Sequence, residues 1–124
     1  MKNSENAHLG MVGENIAVSF LKRNGYKILA QNYHSAYGEI DIVAIGTDTL
    51  IFIEVKTRKS NLEKALSSIS NAKQKKIIKT AYCFLQQHPE FEDFPTRFDA
   101  VAIIQKKDNT FKINHLKNAF YPEF

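Results

Sequence analysis

Two β-branched runs, GEIDIVAI (Gly38 to Ile45) and LIFIEVKT (Leu50 to Thr57), stand on either side of Gly46-Thr47-Asp48-Thr49. Runs of this kind around a short Gly/Asp turn predict a β-hairpin. With Thr47 and Asp48 as a two-residue loop, or positions 46–49 as a four-residue one, opposed residue numbers sum to 95. Asp41 then faces Glu54, and Glu39 faces Lys56. Side chains alternate along a strand, so these four project from one face, beside Val43, Ile45, Leu50 and Phe52. The other face carries Ile40, Ile42, Ile51, Ile53 and Val55. A one-residue slip would turn the apolar set outward, which favours this register. A hairpin apolar on both faces leaves little room for a solvated row of charges. The competing reading makes Glu39–Lys56 an exposed cross-strand pair on a wet sheet.

Two carboxylates about 4 Å apart repel by roughly 4 kcal/mol at an effective dielectric near 20. A proton, Lys56 or a divalent cation has to compensate. Carboxylate oxygens with open positions for water suit Mg²⁺ or Mn²⁺. Such an ion activates water and neutralises charge on a phosphate under in-line attack. Lys56 would orient the water or stabilise the developing anion.

Around the hairpin the pattern is mixed. Leu9, Val12, Ile16, Ala17, Phe20 and Leu21 recur at helical spacing, and Asn24-Gly25 supplies a stop. Tyr26 to Tyr33 reads as a strand. A long helix is expected from about Asn61 to Gln87, ending at His88-Pro89, with Phe91 and Phe94 tucked against the body from the loop behind it. Arg97 to Gln105 is apolar on both faces from Phe98 to Ile104 except for Asp99, which predicts a central strand covered on both sides. Phe111 to Leu116 is a last short strand. The expected order is αβββαββ: an α/β fold with helices flanking a mixed sheet.

Several residues outside the hairpin join the candidate site. Glu14 sits on the flank of the first helix's apolar stripe, near Gly10 and Gly13, whose cost in a helix makes sense if the backbone approaches a strand or ligand. Lys73 falls among Leu62, Leu66, Ile69 and Ile77 on the apolar face of the long helix, where it either snorkels or reaches an anion such as the carboxylates or a phosphate. Gln74 beside it would contact backbone or substrate. The basic run Lys73, Lys75, Lys76, Lys79 and the group Lys56, Arg58, Lys59, Lys64 flank the site in sequence, as a phosphate track would, though a solvated helix face has the same pattern. His34 and Tyr37 stand in the loop entering the hairpin. Asp99, if buried, needs a partner, and Arg97 two residues away is the evident one, a structural pair.

Composition sets the outer bounds. The 124 residues carry 17 Lys+Arg against 13 Asp+Glu, net +4, and 44% are hydrophobic. That describes an ordinary single domain with one modest core, with a mild basic surplus compatible with a polyanionic partner. No apolar run is long enough for a membrane span, and the start of the chain lacks the apolar segment of a secretory signal, so a cytoplasmic protein is expected. A lone cysteine, Cys83, excludes an internal disulfide and a multi-cysteine zinc site.

Asp41, twelve intervening residues and Glu54-Val55-Lys56 resemble the signature of the PD-(D/E)XK nuclease superfamily, with Ile40 where that name has proline. Taken with LIFIEVKTRKS, NAKQKK and RFDAVAI in this order, the chain closely resembles the YraN family of small, endonuclease-like bacterial proteins, from about Gly10 to near the C-terminus. The resemblance implies one restriction-endonuclease-like domain over residues 1–124 with an αβββαβ core. It makes Asp41 and Glu54 ligands of Mg²⁺ or Mn²⁺ and Lys56 the catalytic lysine. Archaeal Holliday-junction resolvases are similar in size and core and add a glutamate from the first helix, a role for which Glu14 is the candidate; they also often dimerise. The expected function is metal-dependent hydrolysis of DNA phosphodiesters, on branched or damaged structures by analogy. Glu39 and Glu14 support the catalytic set, and Lys73, Gln74, Lys76, Arg58 and Lys59 contact nucleic acid. The rivals are a catalytically silent nucleic-acid-binding module of the same fold and a protein–protein adaptor.

Overall fold

In a computed structural model, which describes residues 2–59 and 69–122, the two β-branched runs form the predicted hairpin at the centre of the sheet. Strands β2 (Glu39–Gly46) and β3 (Thr49–Lys59) pair antiparallel, with Ile42 opposite Ile53 and Gly46 opposite Thr49, so the partner sum is 95 and Thr47-Asp48 is a two-residue loop. Strand β1 (Lys27–His34) flanks β2, and β4 (Thr96–Gln105) runs parallel to β3 and antiparallel to β5 (Phe111–Phe120). The result is a mixed five-stranded sheet in the order β1-β2-β3-β4-β5.

Among the described residues two helices cover the sheet, one on each face. Helix α1 (Lys2–Arg23) buries Ala17 and Leu21 against Ile42, Ala44, Ile51, Ile53, Val101 and Ile103. It stops where expected: Asn24 returns hydrogen bonds to the carbonyl of Phe20, and Gly25 takes φ +88, open to glycine at little cost. Helix α2 (Asn71–Gln87) buries Ile77, Ala81 and Phe84 against Val43, Leu50, Phe52 and Phe98 on the other face. Phe91 and Phe94 pack edge to face at the margin of that core.

Three features differ from expectation. The long helix begins at Asn71 rather than Asn61: Ser70 caps it, its side chain accepting from the Lys73 N–H at 3.2 Å. Residues 60–68, with Leu62, Lys64 and Leu66, lie outside the described region. The last strand runs to Phe120 instead of Leu116. Between Ala100↔Leu116 and Phe98↔Phe120, β5 carries two more residues than β4, and Asn118 takes φ +54 in that bulge. The third difference concerns alternation in β2. Ile42 and Ala44 face α1, and Val43 faces α2, yet Ile40 also joins the α2 core. The break falls at Asp41, opposite Asn32 of β1, which is twisted to φ +51. No described helix is long and apolar enough to cross a membrane.

Candidate active site

At Asp41 the β2–β3 ladder gives way to a side chain. The last paired residues are Ile42 and Ile53; beyond them the Asp41 carboxylate accepts the Val55 N–H at 2.7 Å. That bond turns the carboxylate towards β3 and within hydrogen-bonding reach of Glu54. Glu54 is itself 7% exposed, on the α2 face of the strand next to Phe52. Burial raises the Asp41 pKa from 3.8 to about 7, and the neighbouring charges of Glu54 and Glu14 push the same way against the single Val55 N–H. The pair facing predicted from the strand register is therefore present, with its electrostatic cost.

Helix α1 delivers the third carboxylate. Gly13 lies so close to β3 that a Cβ there would sit 2.0 Å from the Thr57 hydroxyl oxygen. Only glycine permits that approach, and it carries Glu14 to the rim of the site, where Glu14 hydrogen-bonds the Asn32 side chain. Burial raises the Glu14 pKa; the Asn32 bond opposes this, and the charges of Glu39 and Glu54 add to it. Asp41, Glu54, Glu14 and Gly10, together with Arg58 and Lys59, line a cleft of about 630 Å³ between α1 and the end of β3. Gly10 has no atom within 4 Å of a would-be Cβ, so it opens the cleft rather than serving a strand contact.

Cations close the other side. Lys73 reaches from the first turn of α2 to ion-pair with Glu54. Lys56, two residues beyond Glu54, is half-buried. Its pKa is lowered, first by burial and then by the charges of Arg58 and Lys73, against the pull of Glu54. Arg58 donates to the Thr57 carbonyl at 2.8 Å.

Other candidate residues lie elsewhere. Glu39, expected on the Asp41–Glu54 face, is carried off it by the break in alternation at Asp41: it is exposed, stands 3.8 Å from His34, and reaches the site only through its charge on Glu14. Gln74 turns to backbone, donating to the Ile69 carbonyl at 2.7 Å. Lys76 is exposed on α2 over Gly38. Arg97 and Asp99 form a bidentate pair at 2.9 and 3.0 Å, away from the cleft on the α1 face of β4. Sequence reasoning missed the rest of that cluster. His115 Nε2 lies 2.7 Å from Asp99, the Asn118 N–H donates to it at 3.0 Å, and Tyr26 meets Arg97 at 3.4 Å. The bulge in β5 that turns the Asn118 N–H inward has no signature in the residue pattern.

The donor set suits one hard cation. Among the described residues no three His, Cys, Asp or Glu side chains converge as a ready-made metal cage. What converges is a pair of carboxylates, one of which, Asp41, has its pKa raised to about 7 by burial and by the charge of the other. A small divalent ion that keeps most of its water requires only one or two protein carboxylates, so the residues fit Mg²⁺ or Mn²⁺.

The model of the Uncharacterised protein family UPF0102 matches residues 13–103, a span from the glycine that seats α1 to within two residues of the end of β4. A UPF0102 protein of Alkaliphilus oremlandii is 41% identical over 119 residues, covering 93% of this chain and 99% of that relative. One of Syntrophomonas wolfei is 40% identical over 117 residues, with the same coverage. One of Francisella tularensis is 42% identical over 114 residues, covering 90% of this chain and 93% of the relative. On this evidence the chain belongs to the UPF0102, or YraN-like, family.

Proposed function

We propose that this protein is a metal-dependent nuclease of the PD-(D/E)XK type, with a restriction-endonuclease-like core, hydrolysing phosphodiester bonds in DNA. The observation that carries the reading is the juxtaposition of buried Glu54 and half-buried Asp41 at the wall of an open cleft. A pure phosphate binder gains nothing from clustered negative charge, and a carboxyl whose pKa is raised by burial and by a like charge, at the wall of a cleft, is the kind of group that functional sites use.

In this reading Asp41 and Glu54 hold Mg²⁺ or Mn²⁺, which when bound supplies charge neutralisation at the phosphate and a more acidic water. The Val55 N–H fixes the Asp41 carboxylate, so its oxygens are aimed before any ligand arrives. Lys56, its pKa lowered by burial and by the neighbouring Arg58 charge, orients the attacking water or meets the charge that develops on phosphate oxygens. Glu14 stands in the position of an outer carboxylate supplied by the first helix. Lys73 leaves Glu54 for a phosphate, and Arg58, Lys59 and Lys76 extend the track beyond the cleft. If four to six of these cations touch phosphates, log affinity falls against log salt with a slope of about −4 to −5.

One observation favours a second reading. The Lys73–Glu54 ion pair neutralises half of the carboxylate pair without a metal, as a catalytically silent nucleic-acid-binding module would. Incubating single-stranded, duplex, flap and four-way-junction DNA with Mn²⁺, Mg²⁺ or EDTA separates the two, with an Asp41→Asn/Glu54→Gln double variant as control. Metal-dependent cleavage that the double variant lacks supports the nuclease. Metal-independent binding without cleavage supports the silent module, and equal cleavage by both proteins overturns the assignment of the site.

A further inference from the structure

The loop from Ser35 to Gly38 leads straight into the strand that carries Asp41, and it is pinned to α2. Thr80, fully buried, donates its hydroxyl to the Lys76 carbonyl at 2.8 Å, and its oxygen lies 2.8 Å from the Ser35 hydroxyl. Ser35 in turn accepts the Tyr37 N–H at 3.0 Å, and its own N–H donates to the Gly38 carbonyl at 2.8 Å. Gly38 closes the junction: a Cβ there would lie 3.2 Å from Cβ of Lys76. On this pinned loop Tyr37 is 52% exposed, with the Lys79 ammonium 5.3 Å from its ring centroid.

The ring stands beside a line of cations that begins at the carboxylates. Lys73, Lys76 and Lys79 recur every three residues along α2, and Lys73 touches Glu54. Six residues at about 1.5 Å each put Lys79 roughly 9 Å along the helix from Lys73. That is two to three nucleotide steps at about 3.4 Å each. A rigidly mounted aromatic face next to a phosphate track is the arrangement by which proteins hold unpaired bases, whose π-faces are accessible only outside the duplex stack.

We propose that Tyr37 is a stacking platform for an unpaired base two to three nucleotides from the phosphate that Lys73 takes up beside Asp41 and Glu54. DNA with unpaired nucleotides beside the cut, a flap or a fork, is then the substrate class. This rests on the nuclease reading and extends it to substrate choice.

The test is a binding measurement on the full chain in EDTA, so that cleavage does not enter. The probes are a flap DNA with 2-aminopurine in its unpaired arm and a continuous duplex of equal length. Stacking quenches 2-aminopurine on binding, and Tyr37→Ala lowers flap affinity by about 5- to 150-fold while duplex affinity stays within about two-fold. Tyr37→Phe keeps the ring and keeps both affinities. Tyr82→Ala, which removes an exposed tyrosine on α2 instead, also leaves both unchanged. Equal losses on flap and duplex for Tyr37→Ala, or a Tyr37→Phe variant as weak as Tyr37→Ala, overturn the platform. The expected pattern in a protein that cleaves nothing with Mn²⁺ overturns the nuclease reading and upholds the platform. Cleavage with no effect of Tyr37→Ala on flap binding does the reverse. A chain that binds neither probe overturns both.

Discussion

Asp41 and Asp99 stand two strands apart in one sheet, and their surroundings have opposite signs. Asp99 is buried among donors: two from Arg97, one backbone N–H from Asn118, and His115 at 2.7 Å. Burial alone would raise its pKa, but these bonds outweigh it and hold the carboxyl below its ordinary value. Asp41 has one backbone donor and a carboxylate for a neighbour, and it is pushed up to about 7. A saturated carboxylate holds the fold together. A carboxylate short of positive charge, at the wall of a cleft, is a place for something that is not part of the chain.

The largest expected effect tests the saturated member. Asp99→Ala leaves the half-buried Arg97 guanidinium, His115 and the Asn118 N–H without their shared carboxylate and should cost up to about 3–5 kcal/mol in urea unfolding, the range for loss of one partner of a buried ion pair. A cost below about 1 kcal/mol would remove the distinction between the two aspartates. The pH dependence follows from the same bonds. Because the folded-state pKa of Asp99 is depressed, its contribution is present above the unfolded value of about 3.9 and is lost as pH falls through the lower folded value. Acid unfolding of the wild type should therefore steepen below about pH 4, and Asp99→Asn should flatten that limb.

Next comes the unsaturated member. Asp41→Asn keeps an acceptor for the Val55 N–H and removes a charge beside Glu54. At pH 9 in EDTA, where Asp41 has lost its proton, the variant should be more stable than the wild type by between about 1 and 4 kcal/mol, the range for unit charges 4 Å apart from bulk water to a protein surface. Mn²⁺ should reverse the order. At a thousand times its dissociation constant it adds about 4.1 kcal/mol to the wild type, enough to offset that whole range, and little to Asp41→Asn/Glu54→Gln. Equal stabilisation of both proteins by Mn²⁺ would place the cation elsewhere.

The contrast between the two sites was only partly legible in the residue pattern, for a physical reason. The hairpin register, the facing of Asp41 and Glu54, and the Arg97–Asp99 proximity all follow from strand periodicity and a two-residue turn, which are local. The fate of Glu39 depends on a twist at Asn32 in a different strand, and the His115–Asn118 donors depend on a bulge in β5. Neither is encoded in the spacing of apolar residues. The early start expected for the second helix came from apolar residues that continue the helical spacing upstream of Ser70, whose side chain caps the helix at Asn71. Charge excess told least: the same lysine run suits a solvated helix face, and only the Lys73–Glu54 contact ties it to the cleft.

The smallest effects concern how near α1 brings a third negative charge to the unsaturated pair. Gly13 and Gly10 lie one turn apart in the same helix, yet only Gly13 is pressed onto β3. Gly13→Ala must displace Thr57, because its Cβ would fall 2.0 Å from the hydroxyl oxygen and 2.8 Å from the methyl carbon; overpacking of this kind costs about 1–3 kcal/mol. Gly10→Ala meets nothing within 4 Å and should stabilise the helix by about 0.4–1 kcal/mol through the entropy of the unfolded chain. The two substitutions also differ at the site. By lifting α1 from β3, Gly13→Ala draws Glu14 away from Asp41 and Glu54, relieves part of their repulsion, and so weakens Mn²⁺ binding along with the fold. Gly10→Ala leaves Glu14 where it is, and Mn²⁺ titration by calorimetry should give the wild-type affinity. If Gly13→Ala folds less stably but binds Mn²⁺ as the wild type does, α1 serves the core alone, and the negative charge of the site comes from the hairpin without help from the helix.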